Sequence, residues 1–308
     1  MIKSMKKIAP LFIIIAAFLW ALDGIVLRPS LYSLPVPLVV FVEHALAFLI
    51  MLPFLIAEFK EVKKLKKGDW GAFIWVAIFG GAIGTMAITK ALFYVNFVNL
   101  SIVILLQKLQ PLFALSLAWL VLKEKLPKKF FIWAVLAIIA AYFVTFGASL
   151  PDLSTGNKTL AAALFSLLAA FAWGSSTVFS KRAIQKVNYR VGTYLRFGVT
   201  TLIMFLVVAS TGNLTSFNQI TLHQFLTFLI IIFSTGGAAI FLYYYGLKKV
   251  KASLSTICEL AFPLSAILLE YFIRGNMLSW VQWVGAVMLG YAIYKVARLK
   301  EGGDQVEN

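Results

Sequence analysis

The sequence predicts an all-α membrane protein of ten transmembrane helices, built as two inverted five-helix repeats with both termini in the cytoplasm. Three observations carry that prediction: a composition that only lipid can solvate, apolar runs of membrane-spanning length, and basic residues confined to alternate linkers. Of 308 residues, 61% are hydrophobic and 13% charged, against about 45–50% and 25% in an ordinary soluble domain. The surplus apolar surface exceeds what one core can bury, so it must face hydrocarbon.

The apolar runs fall at 8–28, 36–57, 70–92, 98–121, 130–148, 159–180, 191–210, 224–246, 252–272 and 279–297. Each is close to the roughly 20 residues that cross about 30 Å of hydrocarbon. Lys3, Lys6 and Lys7 before the first run superficially resemble a signal peptide. That run is too long and no small-x-small site closes it, so it reads as an uncleaved first span.

Orientation follows from the linkers. With the N-terminus inside, the cytoplasmic segments collect 22 Lys and Arg residues, in clusters such as Lys60–Lys67, Lys123–Lys129, Lys181–Arg190 and Lys248–Lys251. The outer segments hold 3, namely Arg28, Lys158 and Arg274. The asymmetry holds at every loop, as the positive-inside rule requires. The cell membrane is the expected location.

Several function classes fall away. The net charge of +16 would suit nucleic acid in a soluble protein, but these charges flank apolar runs, so no nucleic-acid partner is expected. One cysteine, Cys258, and two histidines, His44 and His223, leave no metal cluster. No cofactor motif and no Walker sequence is present, so ATP drives nothing here. An enzyme would need a nucleophile with its base, and none is visible.

The halves resemble each other at a shift of about 152 residues. Ala16-Ala17-Phe18-Leu19-Trp20-Ala21 matches Ala169-Ala170-Phe171-Ala172-Trp173-Gly174. His44 falls opposite Arg196, Gly84 opposite Gly236, Ser101 opposite Ser253 and Pro111 opposite Pro263. The division is a first repeat over 1–148, an outer linker over 149–158, a second repeat over 159–297 and a tail over 298–308. Five spans per repeat is an odd number, so the second copy enters from the opposite side. Inverted repeats of this kind mark secondary transporters, with the site near mid-membrane where the repeats meet.

These motifs resemble the drug/metabolite transporter superfamily, in particular its EamA-type members with ten spans. The resemblance rests on the Trp20 and Trp173 motifs, Leu109-Gln110-Pro111, and Gly246-Leu247-Lys248-Lys249-Val250 leading into Ser253. Pro263, Leu122-Lys123-Glu124-Lys125-Leu126 and Trp283-Val284-Gly285-Ala286 add to it. It covers nearly the whole chain. It implies a central cavity lined by spans one to four and six to nine, with spans five and ten more structural. Two positions depart from the pattern. Asn276 stands where the second half would match Glu124, and Glu43-His44 stands opposite Arg196.

Charged residues inside spans cost roughly 2.5–3.5 kcal/mol each near the centre, so they tend to face protein or a wet cavity. Asp23, Glu43 and Glu259 balance Lys90, Lys108 and Arg196. At about 1.5 Å rise per residue, Asp23 and Glu43 lie in the outer half, Lys108 near the middle, and Arg196 and Glu259 in the inner half. Arg196 and Glu259 pair if their spans are neighbours. Lys90 sits near enough to its span's end to snorkel. His44 titrates near neutrality and suits a proton carrier, or a packed core position. Gln107 and Glu259 each precede a proline of the repeat by four residues, and such prolines free carbonyls that a cavity tolerates. Trp20 and Trp173 lie deep in their spans, as cavity wall or core. Of Tyr243, Tyr244 and Tyr245, at least one is expected to face the cavity.

The expected substrate-binding set is therefore Trp20, Asp23, Glu43, His44, Lys90, Gln107, Lys108, Trp173, Arg196, Tyr243 and Glu259. The expected function is a secondary transporter moving a small organic solute, an amino acid or related metabolite, by alternating access. The alternatives are a channel, a translocator of lipid or hydrophobic drugs, and, least favoured, an intramembrane enzyme. A homodimer in the bilayer is compatible with the sequence.

Overall fold

The computed structural model describes residues 2–94, 103, 106–150 and 158–299. The first part of the expected fourth span, with Ser101, lies outside the described residues. So do most of the linker at 149–158 and most of the tail. The described residues form helices and no strand. Eight of these helices are long and apolar enough to cross a membrane: Ile8–Leu31, Val36–Ala57, Lys67–Ala91, Lys128–Phe146, Leu160–Ala183, Tyr189–Ser210, Leu222–Lys249 and Ala252–Arg274.

Several of these spans are interrupted, and the interruptions matter. Helix α1 (Ile2–Leu22) runs into a π turn at Asp23–Leu27 and a 3₁₀ turn at Arg28–Leu31, so the first span ends later than expected. Helix α2 covers Val36–Ala57. The third span is α3 (Lys67–Trp75), a π segment at Val76–Ile83, and α4 (Gly84–Tyr94). Helix α5 (Gln110–Leu122) begins at a proline, and α6 (Lys128–Phe146) follows it. The second half starts with α7 (Thr159–Ala183) and α8 (Tyr189–Ser210). Its next span is α9 (Leu222–Phe233) and α10 (Gly237–Lys249), broken at 234–236. The last elements are α11 (Ala252–Cys258), α12 (Ala261–Arg274) and the 18-residue α13 (Trp280–Ala297).

Proline explains two breaks directly. Pro111 and Pro263 lack the N–H that a continuous helix would donate to the carbonyl four residues back. The chain instead tightens, with Leu109 N–H donating to Leu106 O at 3.1 Å and Phe262 N–H to Glu259 O at 2.9 Å. At 234–236 a glycine does the same work: Gly236 N–H turns back to Ile231 O at 2.7 Å. The irregularities near Gly84 and Gly236, and near Pro111 and Pro263, keep the shift of about 152 residues noted in the sequence.

Packing sorts the helices into scaffold and cavity. Helix α6 pairs with α13 through small residues: Ala134, Ala137, Ala140 and Ala141 face Gly285, Ala286 and Ala292. A Cβ added at Gly285 would fall 3.0 Å from the Val144 nitrogen, tighter than an ordinary contact, so glycine eases this close approach. Helix α2 packs on α8, α4 and α5 on α7, and α1 on α10 and α12. Large apolar side chains point outward, among them Phe54, Trp119, Ile132, Leu206, Phe233 and Phe272. In water that surface would aggregate; in a bilayer it is solvated.

Candidate functional site

A cavity of about 840 Å³ opens between the helices, large enough for a drug-sized solute. Its walls come from the spans containing α1, α2, α4, α5, α7, α8, α10 and α12, and none of residues 128–146 or 280–297 contributes. The broken elements supply its polar groups. The turn at 108–109 brings Lys108, with Gln107 at the helix end just before it, the break at 234–236 brings Thr235, and the break at 259–260 brings Glu259. Backbone irregularity inside a membrane is tolerated where it lines such a cavity.

One end is built around Arg28. The π turn folds the chain so that the guanidinium reaches back to Asp23 Oδ2 at 2.5 Å and across to Glu43 Oε1 on α2 at 3.2 Å. Thr235 donates to the other Asp23 oxygen at 3.1 Å. Asp23 and Glu43 are both buried, so these contacts neutralise two carboxylates that would otherwise be costly. The sequence reading placed Arg28 in an outer loop; the structure places it on the cavity wall.

The second cluster surrounds Glu259. Its carboxylate accepts from Tyr243 Oη at 2.8 Å, Ser255 Oγ at 3.1 Å, Thr177 Oγ1 at 3.3 Å and Gln110 Nε2 at 3.4 Å. Among the described residues it has no ion pair. The expected pairing with Arg196 is not formed, because Arg196 donates instead to Tyr244 Oη at 3.4 Å. Tyr244 in turn donates to Ser180 at 2.9 Å.

Aromatic faces complete the walls. Trp20 lies against Tyr243 with ring centres 5.2 Å apart. Trp173 faces the cavity from α7, where its Nε1 would stand 2.6 Å from a Cβ at Gly84. His44 also lines the cavity; its Nδ1–H donates to Val40 O at 2.8 Å, and its ring sits 5.2 Å from Phe197.

Of the eleven residues expected at the site, ten line this cavity. Lys90 does not: it is exposed, with its ammonium 5.6 Å from the ring centre of Tyr94. Arg28 takes its place in the charge balance. The three tyrosines diverge, Tyr243 into the cavity, Tyr244 to Ser180, and Tyr245 against Phe12 and Tyr189. The sequence reading missed Arg28, Gln110, Thr177 and Thr235. Gln110 stood inside a quoted motif, and Arg28 only five residues beyond Asp23; the two threonines carried no signal.

The end of the molecule opposite Arg28 is tied shut. Glu124 accepts from the Ala252 N–H at 2.7 Å, the Ser253 N–H at 3.0 Å and Ser253 Oγ at 2.5 Å. Lys181 donates to the Leu247 carbonyl at 2.8 Å, and Lys248 reaches the carbonyls of Ile184 and Val187. Asn276, the counterpart of Glu124, caps no such helix and instead donates to Glu270 at 2.6 Å.

The EamA-like transporter family matches residues 7–146 and again 160–297. The Riboflavin transporter ImpX of Fusobacterium nucleatum is 46% identical over 290 residues, covering 94% of this chain and 97% of that one. An uncharacterized transporter of Bacillus subtilis, YwfM, is 27% identical over 302 residues, with 96% of both chains covered. A protein of known crystal structure superposes with a TM-score of 0.72 at 16% identity, over 97% of this chain and 99% of that one, a likeness of fold alone.

Proposed function

The chain belongs to the EamA-like transporter family, and on that premise we propose that it carries riboflavin, or a flavin close to it, by alternating access. As a family member with eight apolar membrane-length helices, it is a multi-pass transporter of the cell membrane. The cargo and the mechanism are our reading.

The observation that carries the cargo is the state of the charges in the cavity. Asp23 and Glu43 are already matched by Arg28, and Glu259 is held by hydroxyl and amide donors. An amino acid needs a free carboxylate for its ammonium and a free cation for its carboxylate. Here the acidic groups are engaged with the protein. What remains on offer is flat aromatic surface at Trp20, Trp173 and Tyr243, hydrogen-bonding groups around it, and the Lys108 ammonium. With no free acid to take an ammonium, that combination suits a planar ring rich in acceptors with a polyhydroxylated tail. Aromatic stacking supplies affinity, and the ion-paired carboxylates accept from hydroxyl groups. The 46% identity to a riboflavin transporter supports the same reading.

The ten-span, two-repeat architecture is part of this proposal. The family matches twice, once in each half, and the helix irregularities share one repeat register. With the lysine-rich linkers inside, the Arg28 end is the outer one. The cavity wall continues there to Tyr32, Leu34 and Pro35, and the Glu124 end is the closed inner gate. On this reading the carrier is open to the outside.

A ligand screen by thermal unfolding of the purified protein tests the cargo. Riboflavin at about 100 times its dissociation constant should add roughly 2.7 kcal/mol of stability, and amino acids none. Stabilisation by amino acids with none by riboflavin would overturn the proposal.

A further inference from the structure

Among the charged side chains lining the cavity, one stands apart. Arg28 is held by Asp23 and Glu43, Glu259 by four donors, and Arg196 contacts Tyr244. Lys108 makes no hydrogen bond, ion pair or ring contact among the described residues, yet it lines the cavity. Its position is enforced: Pro111 breaks the helix just after it, and Lys108 sits in the resulting turn. An ammonium in such a place costs several kcal/mol unless something satisfies it. The protein offers nothing among the described residues, so the partner arrives with the cargo.

We propose that Lys108 is the specificity-determining donor for the flavin ring, binding the acceptor edge formed by N1 and the C2 carbonyl. This rests on the flavin reading above. Two features place the ring rather than the tail at Lys108. The chain at 107–110 lies against α7 beside Trp173: a Cβ at Gly174 would fall 2.8 Å from the Gln110 carbonyl. Lys108 therefore stands on the stretch of chain that packs beside Trp173, whose ring also lines the cavity. The carboxylates suited to hydroxyl groups, Asp23 and Glu43, gather around Arg28 at the other end. The N1–C2 carbonyl edge is also where an isoalloxazine accumulates negative charge, so a cation complements it better than a neutral donor would. Selection then has a simple form. A ring without a strong acceptor at that edge leaves the ammonium buried and unpaired, which discriminates more sharply than a loss of apolar contact.

Calorimetric titration of the purified full chain tests this with riboflavin and 2-thioriboflavin, in which sulfur, a weak acceptor, replaces the C2 oxygen. For wild type we expect 2-thioriboflavin to bind about tenfold or more weakly. Lys108→Met, which keeps the apolar stem, should bind riboflavin about tenfold or more weakly and lose the preference between the two ligands. Lys108→Arg, which keeps a cation, should recover most of it. Equal riboflavin affinity in wild type and Lys108→Met would overturn the inference and leave the flavin reading intact. Equal affinity of wild type for the two ligands would overturn it as well, and that comparison needs no variant to fold. Absence of riboflavin binding to wild type would overturn both.

Discussion

Arg28 joins two carboxylates from different helices, so its removal leaves both without a counter-charge. Breaking a buried pair costs about 3–5 kcal/mol, but the Arg28 side chain is 31% exposed, and solvent screens part of that. Arg28→Met should lower stability by about 2 kcal/mol, read from a thermal or denaturant transition in detergent, and Arg28→Lys should recover only part because a point charge cannot fork between Asp23 and Glu43. An unchanged transition in Arg28→Met would show that the trio contributes nothing to the fold. Sequence patterning could not reveal this residue's role. It assumes a continuous α-helix of 3.6 residues per turn, and the π turn at Asp23–Leu27 changes the direction in which Arg28 points. Lys90 shows the same limit from the other side. In a span apolar all round, hydropathy says how deep a residue lies but not which way it faces.

At the scale of elements, the breaks in the helices were the most legible feature. Proline cannot donate to the carbonyl four residues earlier, so Pro111 and Pro263 announced their interruptions without any structure. The break at 234–236 carried a weaker signal, a pair of glycines that could equally have meant close packing. Glu124 makes the contact that the proposed carrier would use as its inner gate. Helix α11 starts with free N–H groups, which a carboxylate from the loop after α5 satisfies, tying the two halves together at one end. Glu124→Ala removes the acceptor for the Ala252 N–H, the Ser253 N–H and the Ser253 hydroxyl, so the inner gate should open more often. Cys258, the lone thiol and fully buried at the end of α11, reports on that opening. A membrane-permeant maleimide should label it several-fold faster in Glu124→Ala than in wild type. Equal labelling rates would mean that the contact caps a helix and does not hold a gate.

Across the whole molecule, a closely packed helix pair flanks a cavity built from interrupted helices. Helices α6 and α13 meet through alanine and glycine and contribute nothing to the cavity wall. The other spans bring ion pairs, broken backbone and aromatic faces to the centre. The membrane-embedded helical class was legible because about 30 Å of hydrocarbon imposes both the length and the composition of each span. The cavity was legible in outline because charge inside a bilayer is costly and must gather around a purpose. The proposed cargo was not legible. A balance of acids and bases pointed to an amino acid, and it could not show that Asp23 and Glu43 are engaged by Arg28.

The measurement that tests the account most directly is riboflavin counterflow in proteoliposomes. A carrier that alternates its access returns faster loaded than empty. Vesicles preloaded with unlabelled riboflavin should therefore take up labelled riboflavin transiently above equilibrium, and Trp20→Ala should weaken that overshoot. Uptake that is indifferent to internal riboflavin would indicate a channel, and no uptake of riboflavin at all would contradict the flavin cargo itself.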